Sequence, residues 1–286
     1  MKKYLLWFLA ILLMFGAVIY QRITGPTNPY RGKFYFDIQE YKYSLIRSQE
    51  TTSAASIELP VPNIPKFDAT LHYKRLGTKD TITSVPFKLQ SGRYYAYLPI
   101  QPAAGKMTYH VTINANDKAF RIPARADEEI ILRYKDPVPL WVLIPHIFFM
   151  FFGVLFGILT GLSAVFDITQ MKRWTYVTFI LITVGGLVLG PIVQKYAFGA
   201  YWTGWPFGND YTDNKVLVMW LAWFVVLIFA RWNNPELIKR NRIIICIATV
   251  VMLLAYLIPH SMGGSTLDYD KVDKGIHPKE AIKTGG

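Results

Sequence analysis

The chain has one cysteine in 286 residues, Cys246, and it lies inside an apolar run. An internal disulfide is therefore excluded, and no Cys-x-x-Cys-His is present to attach heme covalently. His-Glu-x-x-His, Gly-x-Ser-x-Gly and the phosphate-binding loop are also absent, which disfavours hydrolase chemistry. No Arg-rich run occurs, so nucleic acid is not an expected partner. No small-x-small site follows the first apolar run, where Gln21-Arg22-Ile23-Thr24 stand. That run reads as a retained anchor rather than a cleaved signal. No inverted repeat is visible, which argues against a transporter.

What is present is apolar: 52% of the residues are hydrophobic and only 17% are charged. Five runs stand out, roughly Tyr4–Tyr20, Leu140–Phe166, Thr175–Gln194, Val216–Phe229 and Ile243–Ile258. A span needs about 20 residues, and the fourth run reaches this only if Trp232 is included. Lys2 and Lys3, then Lys172 and Arg173, then Arg231, Lys239, Arg240 and Arg242 alternate along the chain so as to share one side. By the positive-inside rule that side is the cytoplasm. The expectation is a five-span α-helical bundle with the N-terminus cytoplasmic and the C-terminus outside. The setting is a bacterial inner membrane, with membrane lipid as an implied partner.

Between the first two spans the texture changes. Apolar and polar residues alternate, and nine strands are expected: Lys33–Ile38, Lys42–Ile46, Ser56–Leu59, Ala69–Arg75, Val85–Leu89, Tyr94–Leu98, Lys106–Ile113, Lys118–Ile122 and Glu129–Tyr134. Gln90-Ser91-Gly92-Arg93 and Asn114-Ala115-Asn116-Asp117 read as hairpin turns. This spacing predicts a periplasmic immunoglobulin-like or fibronectin-like β-sandwich inserted between spans 1 and 2. The expected organisation is an anchor helix over 1–21, the β domain over 22–136, a four-helix transmembrane bundle over 137–262 and a polar tail over 263–286. The tail is expected to be extended, either free or lying across a partner. His72 and His110 sit in strands; they suit a metal pair if those strands are neighbours, and an ordinary half-exposed role otherwise. No catalytic constellation is recognisable.

The most informative stretch is the loop 196–214, rich in aromatics and glycine, with no Lys or Arg between Lys195 and Lys215. Leu-Ile-Pro-His occurs on both sides of it, ending at His146 and at His260. In the expected topology both histidines, Gln194, Lys195 and this loop share the outer layer of the bundle. Ionisable residues in spans are costly and tend to be functional. The plain alternatives are an interfacial aromatic belt for Trp141, Tyr201, Trp202 and Trp205, helix capping for Asp210 and Asp213, and snorkelling for Lys195 and Lys215.

Gly199-Ala200-Tyr201-Trp202, then Trp205, then Asp210, ahead of a span holding Trp220-Leu221-Ala222-Trp223, resembles the tryptophan-rich signature of the heme-handling proteins of cytochrome c assembly. The likeness covers residues 140–262 and not the β domain. It implies that the outer face presents heme. His146 and His260 would then be the axial, metal-binding ligands, Tyr201, Trp202 and Trp205 would cover the porphyrin, and Lys195 or Lys215 would pair a propionate. Periplasmic or membrane proteins, a cytochrome among them, are the implied partners. Three departures stand out. Residues 206–209 separate Trp205 from Asp210, Phe198 stands where the family has tryptophan, and no second pair of span histidines exists. The competing reading is a cofactor-free accessory subunit of a larger, respiratory-type membrane complex, with the β domain and aromatic loop as docking surfaces. A third is a copper or quinone site on the same histidines, with Met252 and Met262 offering thioethers.

Overall fold

The structure, a computed structural model, describes residues 2–36, 39–61, 67–115, 118–166, 170–260 and 263–283. Chain contacts divide it into two units: residues 1–26 with 138–265 and 284–286, and residues 27–137 with 266–283.

The first unit is helical. Its elements are α1 (Lys2–Thr24), α2 (Leu140–Phe166), α3 (Met171–Ile182), a π-helical segment (Thr183–Leu189), α4 (Gly190–Phe198), α5 (Tyr211–Phe229) and α6 (Ile238–Leu257). Among the described residues four stretches are long and apolar enough to cross a membrane: Lys3–Thr24, Leu140–Phe166, Met171–Phe198 and Tyr211–Phe229. The expected fifth run falls in α6, whose first turns carry Lys239, Arg240 and Arg242. The fourth span gains its length at the front, from Tyr211, and not by running on to Trp232. Its C-cap, Ala230, is already extended.

α2 is the axis of this unit. It carries Gly153, Gly157 and Gly161 at four-residue spacing, which puts them on one helix face. A Cβ on Gly157 would lie 2.4 Å from Met252 Sδ, and one on Gly161 would lie 2.5 Å from Thr249 Oγ1. Small residues thus let α6 approach α2 closely, the usual device of helices in lipid. Trp223, fully buried, closes the seam and donates from Nε1 to Met252 Sδ at 3.3 Å.

The π-helical segment has a local cause. Pro191 has no N–H to give and its ring crowds the preceding turn, so the ladder widens ahead of it. Gly190 N–H reaches back to Gly185 O. The same widening brings Gly185 against α2, where a Cβ would lie 3.0 Å from Met150 N.

The second unit holds β-sandwich-like sheets. The strands are β1 (Tyr30–Phe36), β2 (Gln39–Leu45), β3 (Ser48–Glu50), β4 (Ala55–Leu59), β5 (Phe67–Arg75), β6 (Thr83–Pro86), β7 (Lys88–Gln90), β8 (Arg93–Leu98), β9 (Lys106–Ala115), β10 (Lys118–Ile122) and β11 (Ile130–Lys135). One sheet has the order β3-β11-β9-β5-β6, with β10 also paired to β9, and a second has the order β4-β8-β7. β1 and β2 form a separate hairpin. Alternating residues of both sheets, with Leu45 of the hairpin, make the core; Leu45, Ile57, Leu71, Leu98, Tyr109, Ile113, Leu132 and Tyr134 are fully enclosed. Without disulfides this burial holds the unit together, at roughly 1.5–3 kcal/mol per large apolar side chain.

The expected strand Val85–Leu89 is in fact two. Buried Phe87 separates β6 and β7, which belong to different sheets. The Ser91-Gly92 turn is as expected, with φ of 47° and 76° suiting a two-residue hairpin loop. The second expected turn, at Asn116-Asp117, lies outside the described residues, as do Ile38 of the first expected strand and Met262.

The tail is neither free nor extended. β12 (Thr266–Leu267) pairs with β13 (Ile282–Lys283), and a short helix α7 (Tyr269–Asp273) lies between them. Leu267 N–H donates to Ala104 O at 3.0 Å, and Tyr269 Oη bridges the backbone N–H and C=O of Lys106. Arg75 grips Asp273 at 2.7 and 2.9 Å and Asp80 at 2.6 and 3.0 Å, and stacks over the Tyr269 ring. One arginine between two carboxylates holds both well below the usual carboxylate range.

Candidate functional site

At one end of the bundle the loop 199–210 is built around Thr203, which is 1% exposed. Its N–H donates to Asp213 Oδ2 at 2.7 Å, and its hydroxyl lies 3.1 Å from Asp210 Oδ2 and 3.2 Å from Asp213 Oδ2. Gln194 donates to the same hydroxyl, and Ser265 Oγ lies 3.2 Å away. Asp210 does double duty. Oδ1 accepts Thr212 N–H at 2.8 Å as the N-cap of α5, while Oδ2 accepts Ser265 N–H at 3.0 Å. This buried network ties the loop, α4, α5 and the segment after α6 at one point. Asp210 was anticipated as a cap; Asp213 instead holds the loop. The sequence signal for the hub was faint: a threonine and a serine in loops, and two aspartates three residues apart on one helix face.

Above this stem the aromatics are open. Tyr201, Trp205, Phe207 and Tyr211 are 59%, 66%, 75% and 54% exposed. Trp202 is half-buried and spends its N–H on Trp205 O at 3.0 Å. Trp205 N–H is held by Asn214 Oδ1. Lys195 is exposed, donates to Gly199 O at 2.7 Å and lies 5.1 Å over the Tyr201 ring.

The two histidines differ in chemistry. His146 follows Pro145 in α2, and its Nδ1 donates to Gly185 O at 2.9 Å. A carbonyl only accepts, so the ring carries its proton on Nδ1 and leaves the Nε2 lone pair free. This is the arrangement that orients metal-ligating imidazoles. Two helix irregularities, Pro145 and the π-helical segment, meet at this ring, and irregular backbone in spans tends to line sites. His260 is held the other way. Lys215 Nζ donates to its Nδ1 at 2.8 Å and to Ile258 O at 2.7 Å. With Nδ1 accepting, the neutral ring carries its proton on Nε2. Lys215 itself is buried, not snorkelling as anticipated.

His146 keeps Nε2 outside its bond to Gly185, and His260 is held at Nδ1 by Lys215. Met252, a candidate thioether, is occupied by the Trp223 N–H. Among the described residues no group of three or more His, Cys, Asp or Glu could hold a metal ion.

His72 and His110, on β5 and β9, are direct cross-strand partners with rings stacked at 4.7 Å. The strands are neighbours, but stacked rings do not converge on a common point. Both nitrogens of His72 are engaged, by Ser84 and Thr112 at 2.8 Å each, and His110 Nδ1 meets Glu129.

Comparison with known proteins finds no matching family model and no curated relative.

Proposed function

We propose that this chain is a non-enzymatic accessory subunit of a larger membrane complex. It is anchored by five spans and carries an immunoglobulin-like domain, with the aromatic loop as its docking surface. The observation that carries this reading is the contrast between stem and rim. Thr203, Asp210, Asp213 and Ser265 are buried and mutually bonded, so the loop backbone is fixed, while four large aromatics beside them remain open. Rigid aromatics on a pre-ordered scaffold bind with little entropy loss, and aromatic residues dominate binding hot spots. The immunoglobulin-like assignment is supported by the strand order β3-β11-β9-β5-β6 facing β4-β8-β7 and by the parallel pairing of β3 with β11. A periplasmic location follows from the basic residues on the opposite ends of the spans.

The test is site-specific photo-crosslinking from position 205 or 207 in the native membrane. A discrete partner adduct, lost when Tyr201, Trp205 and Phe207 are all changed to alanine in a folded protein, supports docking. Crosslinks to lipid alone reduce the loop to an interfacial belt.

One observation favours the heme reading as a second choice: the free Nε2 of His146. Its check is an absorption spectrum, oxidised and reduced, of protein purified in mild detergent and titrated with heme. A Soret band that disappears in His146→Ala but persists in His260→Ala would establish single-histidine ligation. A featureless titration removes heme from consideration.

A further inference from the structure

The β domain contains a cleft that neither reading uses. It lies beside the β1–β2 hairpin, has a volume of about 750 Å³ and is lined by Arg31, Lys33, Lys42 and Arg93 with only Glu40 and Glu58 to oppose them. The register makes this costly. Lys33 stands directly opposite Lys42, and Arg31, two residues along, shares the face opposite Ser44. Like charges directly opposite destabilise a hairpin.

The internal carboxylates do not neutralise the set. Glu40 takes Lys33 at 2.9 Å and Tyr35 Oη at 2.9 Å, but reaches Lys42 only at 3.7 Å. Glu58 is taken by Arg93. Among the described residues the Arg31 guanidinium has no carboxylate partner; only the backbone of Arg31 is paired, opposite Ser44. Two guanidinium forks and two ammonium groups thus border one concavity, two of the cations under-compensated. A solvated basic face has the charge but not the concavity, and this volume lies in the range of small-ligand clefts, about 300–1,000 Å³. Gly32 contributes by its lack of a side chain. A Cβ there would lie 2.2 Å from the Tyr43 hydroxyl, so only glycine lets the Tyr43 ring lie across β1 and line the cleft.

We infer that this cleft binds a compact oxyanion of the phosphate class, either a free anion or an anionic lipid headgroup. Arginine forks match the planar pairs of oxygens such groups present, and charge-assisted bonds of this kind are the strong ones. The anion would remove the repulsion built into the Lys33–Lys42 register, so binding and stability are coupled.

The test is calorimetric titration of the full-length protein in neutral detergent with inorganic pyrophosphate and, separately, with dihexanoyl phosphatidic acid. The expected result is saturable binding that weakens with added salt and raises the melting temperature. In the double variant Arg31→Gln, Lys42→Gln the affinity should fall about tenfold or more, while the ligand-free melting temperature holds or rises. Lys79→Gln, in the connection between β5 and β6 and outside the cleft lining, is the control and should bind as wild type. Binding of both probes supports the oxyanion site with a free ligand, and binding of the lipid alone supports it with a headgroup. The inference is overturned if neither binds, if the double variant binds as wild type, or if Lys79→Gln weakens binding equally.

Discussion

Single residues in this protein are legible through what their hydrogen-bond partners can and cannot do. Asp210 is the sharpest case, since one carboxylate caps α5 and also fixes Thr203 and Ser265. Asp210→Ala removes an N-cap worth about 1 kcal/mol and leaves buried donors unmet at about 1–3 kcal/mol each. The variant should lose at least ~2 kcal/mol in denaturant unfolding followed by tryptophan fluorescence, and proteolysis should open the 199–210 loop. Retention of wild-type stability would mean that the network is not a stem. His72 gives a pH prediction of defined sign. Burial, then the neighbouring His110, push its pKa below the ordinary 6.5. The folded state therefore prefers the neutral ring, and the unfolded chain takes the proton first. Stability is full above about 6.5 and falls as pH drops from there toward the depressed folded value. Glu129 and Arg121 face the same pair and set its net field. The Asp80 and Asp273 contributions are lost only further down, as pH falls below the ordinary carboxylate value of 3.8. Melting temperatures between pH 7 and 5 should thus decline in wild type and flatten in His72→Gln. An unchanged slope in that variant would assign the decline elsewhere.

At the scale of elements, the α2–α6 seam offers a ranking rather than a single value. A methyl on Gly161 meets the β-branched Thr249 at three atoms within 2.9 Å, whereas one on Gly157 meets the flexible end of Met252. Overpacking costs about 1–3 kcal/mol, so Gly161→Ala should destabilise the helical unit more than Gly157→Ala. Thermal unfolding in detergent monitored by circular dichroism would reveal the order, and the reverse order would show that the helices separate easily here. Which elements could be foreseen follows from the same physics. The apolar runs and all of the alternating segments but Val85–Leu89 declared themselves because burial imposes a period, and their strand limits shift by at most three residues. β3 is polar and short, Ser48-Gln49-Glu50, and becomes a strand only because β11 offers it a parallel edge. The tail shows no apolar period. It is ordered by three anchors, Leu267 on Ala104 just before β9, Tyr269 on β9 and Asp273 on β5, and such long-range pairing leaves no local signature. The candidate site divides similarly. His146, His260 and the aromatics were marked by residue type, but the opposite tautomers of the two histidines depend on Gly185 and Lys215 across the fold.

For the whole molecule, the open question between four spans and five can be argued from which helix ends meet. Arg242, near the start of α6, donates to Val165 O at 2.6 Å and also to Ala164 O, both at the end of α2. Arg240 donates to Phe229 O at the end of α5, and Arg231 to Ile228 O. These arginines satisfy the orphan carbonyls of two helix C-termini. At its other end α6 runs into Lys215 and His260, which meet the start of α5, and Gln21 near the end of α1 donates to Tyr256 O. α6 therefore lies antiparallel to α2 and α5 and runs the full depth that they do. If they cross the bilayer, helix ends that meet in this way carry α6 across too, with its basic first turns at one headgroup layer. The tail gives an independent parity argument. It follows α6 and packs on β5 and β9 of the domain inserted between α1 and α2; in a membrane that packing puts both on one side, as the proposed five crossings do and four would not. The prediction is that single cysteines at Thr78 and Gly275, introduced into Cys246→Ala, both react with an impermeant maleimide in intact spheroplasts. A cysteine at Asn233 should react only after the membrane is opened. Labelling at 78 but not at 275 in sealed membranes would mean an even number of crossings. It would then follow that the tail reaches its sheet only after the membrane is dissolved.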